Sequence, residues 1–185
     1  MNSDLSIQKA ILTLTNDGVI AYPTEAMFGL GCNIYSDKAV TKILDMKQRS
    51  YEKGLIIVGS CWDQVKDLTN SIPEKNYDPI FKSWPGHNTW VFPASINVPR
   101  KITGKHKTIA IRISNHPIVK LLCEEFRGPI VSTSANTQGK KPALTATEVK
   151  DIFKEKVDYI VQGKIGDKTK ASTITSAVSL EKLRF

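Results

Sequence analysis

Three polar stretches of this chain concentrate the residue types that do chemistry. The first is Tyr22-Pro23-Thr24-Glu25-Ala26-Met27-Phe28-Gly29-Leu30-Gly31, and the second is Lys47-Gln48-Arg49. The third is Ser132-Thr133-Ser134-Ala135-Asn136, followed by Gly139-Lys140-Lys141-Pro142. A lysine and an arginine two residues apart set a point charge beside a planar fork, a pairing suited to a polyphosphate. The hydroxyl and amide cluster offers neutral donors and acceptors to oxygens or to a small polar molecule. Each has a plain alternative. Cations near a helix C-terminus are commonly solvated partners of its dipole. Ser/Thr/Asn clusters commonly satisfy turn backbones, and Thr24 suits a helix cap. Arg112 is different, because it interrupts the apolar run Thr108–Ile113. A lone charge there needs a partner, and the choice between a ligand and a protein group stays open.

Standard nucleotide motifs are absent. Gly29-Leu30-Gly31 starts like a dinucleotide fingerprint, but Ile34 stands where the third glycine belongs. The run from Gly163 to Thr169 resembles a phosphate loop with the wrong spacing. Three cysteines, Cys32, Cys61 and Cys123, form no Cys-x-x-Cys pair, so neither a zinc site nor a disulfide framework is implied. His87, His106 and His116 are scattered and read as surface or capping residues. No Ser–His–Asp or Cys–His pairing follows from the spacing.

The elements that must position these loops alternate between two periods. Ile7, Ala10, Ile11 and Leu14 mark a helix with Ser3 or Asp4 as its cap, stopped where Gly18 takes a left-handed C-cap. Val19 to Tyr22 reads as a strand opening into the first loop. A second helix, capped by Asp37, carries Val40, Ile43 and Leu44, and Leu55 to Val58 reads as a strand buried on both faces. A weak helix is expected over 62–69 and a short one over 78–84. Strands follow over 89–92 and 108–113, then a helix from Asn115-His116-Pro117 to about Phe126, and a strand over 129–132. Thr145 with Glu148 forms a capping box for a helix bearing Val149, Ile152 and Phe153. Short strands over 159–161 and 172–175 complete an α/β pattern around a mixed sheet, expected as one domain over 1–185.

Composition bounds the partners. The chain has 185 residues, 41% of them hydrophobic, and 26 basic against 18 acidic side chains for a net charge of +8. That surplus favours polyanions such as nucleotides, phosphates or RNA. No apolar run approaches the ~18 residues of a membrane helix, and residues 1–4 lack a signal-peptide pattern, so no membrane partner and a cytoplasmic, reduced protein are expected.

Five motifs in register resemble the YrdC/Sua5 family: Tyr-Pro-Thr-Glu…Gly-Leu-Gly at 22–31, Lys-x-Arg at 47–49, Trp-Pro-Gly at 84–86, Ala-Ile-Arg at 110–112 and Ser-Thr-Ser-Ala-Asn at 132–136. The resemblance runs from Ile7 to about Thr175 and is to the short single-domain bacterial form. It implies a YrdC/RibB-like α/β (α+β) fold, a twisted mixed sheet flanked by helices with a basic concave cleft. It further implies an enzyme that forms L-threonylcarbamoyladenylate from L-threonine, bicarbonate and ATP, with Mg²⁺, for the t6A modification of tRNA. Its signature tetrad falls on Lys47, Arg49, Ser134 and Asn136, with Lys47, Arg49 and Asn136 against ATP. Arg112, Ser134, Ser172 and Thr173 would meet threonine, and Thr24 would floor the cleft. Approach to tRNA and hand-over to TsaD/TsaB/TsaE-type proteins are implied partners. Two departures stand out. Val58 occupies a position where many relatives carry histidine, and His87-Asn88-Thr89 replaces the usual Pro-x-Thr after Trp-Pro-Gly. Competing readings are a non-enzymatic RNA-maturation module, built on basic loops such as Lys105-His106-Lys107, and a different carbamoyl transferase.

Overall fold

A computed structural model describes residues 2–184, with side chains described for 5–184. Ten strands form two mixed sheets. The first, in the order β7-β2-β1-β8, combines β1 (Ile20–Pro23), β2 (Phe28–Gly31), β7 (Thr133–Ser134) and β8 (Tyr159–Ile160). The second, in the order β10-β9-β4-β5-β3-β6, combines β3 (Ile56–Gly59), β4 (Asn88–Pro93), β5 (Thr108–Ile113), β6 (Ile130–Val131), β9 (Thr173–Ser176) and β10 (Lys182–Arg184). The sequence pattern implied one sheet; the chain divides it because β6 and β7, separated by Ser132 alone, belong to different sheets. Ser132 donates its backbone N–H to Ile56 (2.8 Å), and Ala135 donates to Phe28 (2.9 Å), so this short segment ties the sheets together.

Helices cover the outer faces. α1 (Asn2–Thr15) and α5 (Pro117–Glu125) bury Ile7, Ala10, Leu14, Val119, Leu122 and Cys123 against Ile20, Tyr22, Val58 and Ile130. The expected caps Ser3 and Asp4 lie outside the described side chains. α2 (Asp37–Lys47) packs Val40, Ile43 and Leu44 into the larger core with Val149 and Phe153 of α6 (Ala146–Phe153). Two short helices, α3 (Tyr77–Ser83) and α4 (Arg100–Thr103), sit at the sheet ends.

Several local expectations are corrected. α2 is capped by Ser36, whose side chain accepts from the Ala39 N–H at 3.1 Å, while Asp37 occupies the first turn. Asp17, not Gly18, takes the left-handed conformation after α1 (φ 57°). The segment 62–69 forms two three-residue 3₁₀ turns rather than a helix. Gly29-Leu30-Gly31, read as loop, forms β2, paired antiparallel to β1. At Gly31 an added Cβ would lie 2.7 Å from the Tyr22 ring and from the Val131 carbonyl oxygen, so glycine is required by close packing within a strand.

The capping box is present in full: the Thr145 hydroxyl accepts from the Glu148 N–H and the Glu148 carboxylate accepts from the Thr145 N–H, both at 3.2 Å. Thr145→Ala is therefore expected to lower unfolding free energy in urea by about 1 kcal/mol.

Candidate active site

The first and third polar loops meet because β7 pairs with β2, with Ser134 opposite Gly29. Between β1 and β2 the chain makes a tight turn, in which the Thr24 N–H and hydroxyl both donate to the Met27 carbonyl (3.0 and 2.7 Å). Thr24 is thus a turn residue rather than a helix cap. The run 163–169 folds over this turn, with Gly166 N–H donating to the Thr24 carbonyl and Lys168 N–H to the Glu25 carbonyl (2.9 Å each).

Lys47 ends α2, and only 2% of it is exposed. Its ammonium donates to the Ser134 carbonyl, to the Asn136 carbonyl and to Asn136 Oδ1 (the last two 2.9 Å), with Ser134 Oγ at 3.5 Å. Ser134 Oγ in turn donates to Asn136 Oδ1 at 2.7 Å. Burial, and then the charge of Arg49, draws the Lys47 ammonium down to about 8. Lys47, Ser134 and Asn136 therefore form one compact cluster, and the solvated-cation reading of Lys47 is set aside. Arg49 takes another direction. Its Nη2 donates to the Gly54 carbonyl at 2.9 Å, while its Nε is buried without a protein partner. Gly54 has φ +63°, and a Cβ there would meet two backbone oxygens of 102–103 at 3.0 Å, so glycine alone presents this carbonyl.

A cleft opens beside this cluster. Thr24, Arg49, Arg112, Ser134 and Ser172 line it, as do His87 and Arg184. Lys47 and Asn136 stand behind the wall and shape it through Ser134. Thr173 is turned aside, its hydroxyl donating to Asn88 Oδ1 at 2.8 Å. The partner required for Arg112 is Glu25: Nη1 donates to Oε2 at 2.7 Å, with both side chains over nine-tenths buried. Ser114 Oγ donates to the other carboxylate oxygen at 2.6 Å. Burial alone would raise the Glu25 carboxyl, but the Arg112 guanidinium and the Ser114 hydroxyl outweigh it and hold the group below its ordinary value.

Two cleft residues escaped the sequence reading. Arg184 comes from the three-residue edge strand β10, whose pattern carries no strand signal, and its guanidinium donates to the Ser172 carbonyl (2.9 Å). Burial and then Arg112 lower its basicity, while burial and then Arg184 lower that of Arg49. His87 was read as surface or capping. It reaches the cleft because its loop is drawn inward, Gly86 N–H donating to the Ile113 carbonyl at 2.8 Å. His106 is exposed as expected, whereas His116, though it precedes α5, is buried with Nε2 3.2 Å from the Lys164 carbonyl oxygen, and its side chain caps no helix.

A cleft that gathers three guanidiniums and gives an internal counter-ion to one of them defines an anion-binding α/β protein. The chain belongs to the Sua5/YciO/YrdC family, whose sequence model, described as telomere recombination, matches residues 13–184. It is 45% identical over 180 residues to a threonylcarbamoyl-AMP synthase of Coxiella burnetii, covering 97% of each chain. It is 39% identical to the synthase of Xanthomonas euvesicatoria over the whole of both. Among solved structures, Sua5 of P. abyssi complexed with L-threonine superposes with a TM-score of 0.87 at 34% identity over 92% of this chain. This chain spans about half of that Sua5 (50%). YciO of E. coli superposes at 0.82 with 25% identity, covering 97% of this chain and 90% of that one.

The Glu25–Arg112 pair yields a pH signature. Because the folded state lowers the Glu25 carboxyl below 4.5, its stabilisation is complete above that pH and is lost as pH falls through the folded value. Glu25→Gln, which strands the Arg112 charge, is expected to lose about 3 kcal/mol at pH 7. In urea titrations the gap from the parent chain should close steadily below pH 4.5; a gap constant with pH contradicts the assignment.

Proposed function

We propose that this chain is an L-threonylcarbamoyladenylate synthase, joining L-threonine, bicarbonate and ATP with release of pyrophosphate. The observation that carries this reading is the convergence of Lys47, Ser134 and Asn136 behind a cleft faced by Arg49, Arg112 and Arg184. Full-length similarity to chains named for that product supports it.

The threonine amine adds to CO₂ derived from bicarbonate and loses a proton, giving a carbamate. A carbamate oxygen then attacks the α-phosphorus of ATP, and the bond to the bridging β-phosphate oxygen breaks. Such a transfer needs positioning and charge stabilisation more than covalent catalysis. Arg49 and Arg184 face the triphosphate, Arg49 being held in place by the Gly54 carbonyl at Nη2. The Lys47 ammonium fixes Ser134 and Asn136, which orient substrate oxygens, and adds positive charge behind them. Arg112, held by Glu25, keeps its outer donors for the threonine carboxylate. Thr24 and Ser172 complete the pocket, and Thr173 supports it through Asn88.

Among the described residues no three His, Cys, Asp or Glu side chains gather to hold a metal, and Glu25 is already engaged by Arg112 and Ser114. The donor set does not suit a protein-held Mg²⁺, which belongs with the nucleotide as part of the substrate. The product is a reactive mixed anhydride, which favours quick hand-over to a TsaD/TsaB/TsaE-type partner for tRNA. Exposed Lys105 and Lys107 favour a weak approach to that RNA. The chain is read as one domain, in a reducing cytoplasm where Cys32, Cys61 and Cys123 stay free. No helix of the described residues is long and apolar enough to cross a membrane.

The decisive assay incubates pure protein with ATP, L-threonine and labelled bicarbonate. Pyrophosphate and label in an adenylate are expected, and neither appearing beside an active relative overturns the reading. Arg49→Ala should lower turnover at least a hundredfold with little change in Tm.

Lys47 gives a pH test. As its ammonium loses its proton near 8, kcat/KM for ATP should fall above that pH. The folded state holds this proton less tightly than the unfolded chain, whose lysine sits near 10.5. Its contribution to stability therefore rises between about 8 and 10.5, so the activity loss should come without a loss of Tm from this residue. In Lys47→Met the alkaline limb should vanish from an activity already about a hundredfold lower.

A further inference from the structure

A hydroxyl without access to water sits one step behind the cleft. Thr89, in β4, is wholly buried, and its Oγ1 lies 2.8 Å from Ser172 Oγ. Ser172 lines the cleft with Thr24 and Arg112. Among the described residues neither hydroxyl has another hydrogen-bond partner. Either oxygen has the proton to give, but the two arrangements differ in what they leave over. If Ser172 donated, the Thr89 proton would be stranded in the interior, at the full desolvation cost of an unpaired donor. If Thr89 donates, the proton left over belongs to Ser172, whose side chain faces the cleft. Burial therefore sets the direction of the bond: Thr89 donates and Ser172 accepts.

The pair is held from both sides. β4 runs parallel to β9, with Asn88 beside Thr173 and Thr89 beside Ile174. Thr173 Oγ1 donates to Asn88 Oδ1 (2.8 Å), and His87 Nε2 lies 2.8 Å from the Lys170 carbonyl oxygen, so the start of β4 is tied to residues 170–173. The Ser172 carbonyl accepts from Arg184 Nε (3.3 Å) and Nη2 (2.9 Å). On its other edge β4 runs antiparallel to β5, and the pairing of Trp90 with Ile111 sets Thr89 abreast of Arg112. Residues abreast in such a pair share a face of the sheet. Thr89 and Arg112 thus lie on the face opposite Trp90 and Ile111, which belong to the core.

A carboxylate has two oxygens that only accept. Arg112 supplies charged donors to it, and a neutral donor whose proton has no protein acceptor completes the set. We propose that Thr89 is a positioning residue of the amino-acid pocket: by donating to Ser172 Oγ it reserves the Ser172 proton for the substrate carboxylate held on Arg112. This assignment rests on the function proposed above and extends its pocket to a residue that never touches the ligand.

The test is a double-mutant cycle read by calorimetric titration of the full chain with L-threonine and, separately, with ATP. Thr89→Val removes the hydroxyl and should weaken L-threonine binding about fivefold, the effect of one neutral hydrogen bond. Thr89→Ala removes it without adding a methyl group and should do the same, which keeps the test open if the valine variant does not fold. Thr89→Ser keeps the hydroxyl and should bind L-threonine within about twofold of the parent. Ser172→Ala should cost about tenfold or more, because its bond is to a charged group. Adding Thr89→Val to Ser172→Ala should then change nothing further. ATP binding should stay within about twofold of the parent in every Thr89 variant. Unchanged threonine affinity in Thr89→Val and Thr89→Ala, no recovery in Thr89→Ser, or losses that add in the double variant overturn the proposal. Parallel loss of ATP binding makes Thr89 a structural prop and overturns it as well. If the parent chain binds ATP but no L-threonine, the proposed function fails and this assignment with it, whereas threonine binding with an additive cycle defeats this assignment alone.

Discussion

A lysine ammonium with almost no access to water is the constraint on which the rest of the site depends. Moving such a charge out of solvent is costly, and its basicity falls as a result. The cost is tolerable because oxygens of Ser134 and Asn136 surround Nζ, two of them backbone carbonyls. Those carbonyls belong to the short segment where the chain leaves one sheet and enters the other. Fixing them fixes β7 and the turn after it, and with them the Ser134 wall of the cleft.

The same cleft separates its positive charges into two kinds. Arg112 is neutralised from within by Glu25, so it can meet a monoanion without a large excess of charge nearby. Beyond burial, Arg184 lowers the basicity of Arg49 and Arg112 that of Arg184, and no carboxylate of the described residues forms an ion pair with Arg49 or Arg184. The cleft thus holds one arginine neutralised from within and two that leave it a net positive charge.

How much of this was legible in the sequence follows the range of the interactions involved. The Thr145 capping box, the alternation of β5 and the stripe of α2 are set by neighbours within four residues, and each was readable. β2 was not, because Gly29 and Gly31 weaken any strand signal; Gly31 is required by the Tyr22 ring and the Val131 carbonyl, the latter a hundred residues away in sequence. The need of Arg112 for a partner was readable from its apolar setting, but the identity of Glu25 depends on how the turn after β1 folds back. Arg184 and His87 were missed for the same kind of reason. Each reaches the cleft through a tertiary pairing, β10 on β9 and the 84–88 loop on residues 170–173, that leaves no period in the local sequence.

The spacing of Lys47 and Arg49 has a backbone cause. Gln48 adopts the left-handed conformation (φ 51°, ψ 45°), and Arg49 N–H returns to the Leu44 carbonyl at 2.9 Å, closing the helix in the manner usual for glycine. A non-glycine residue there carries a strain of about 1 kcal/mol, the kind of local cost found at functional sites. The reversal turns the chain between the two cations. Lys47 stays on the buried face of α2 and points at the 134–136 segment, whereas Arg49 swings toward Gly54 and the open cleft. Were the helix to continue, residues two apart would face opposite sides of it and one of the cations would reach solvent. The strained turn at Gln48 is what lets two adjacent positive charges serve one site from different directions, the first by holding its wall and the second by facing its contents.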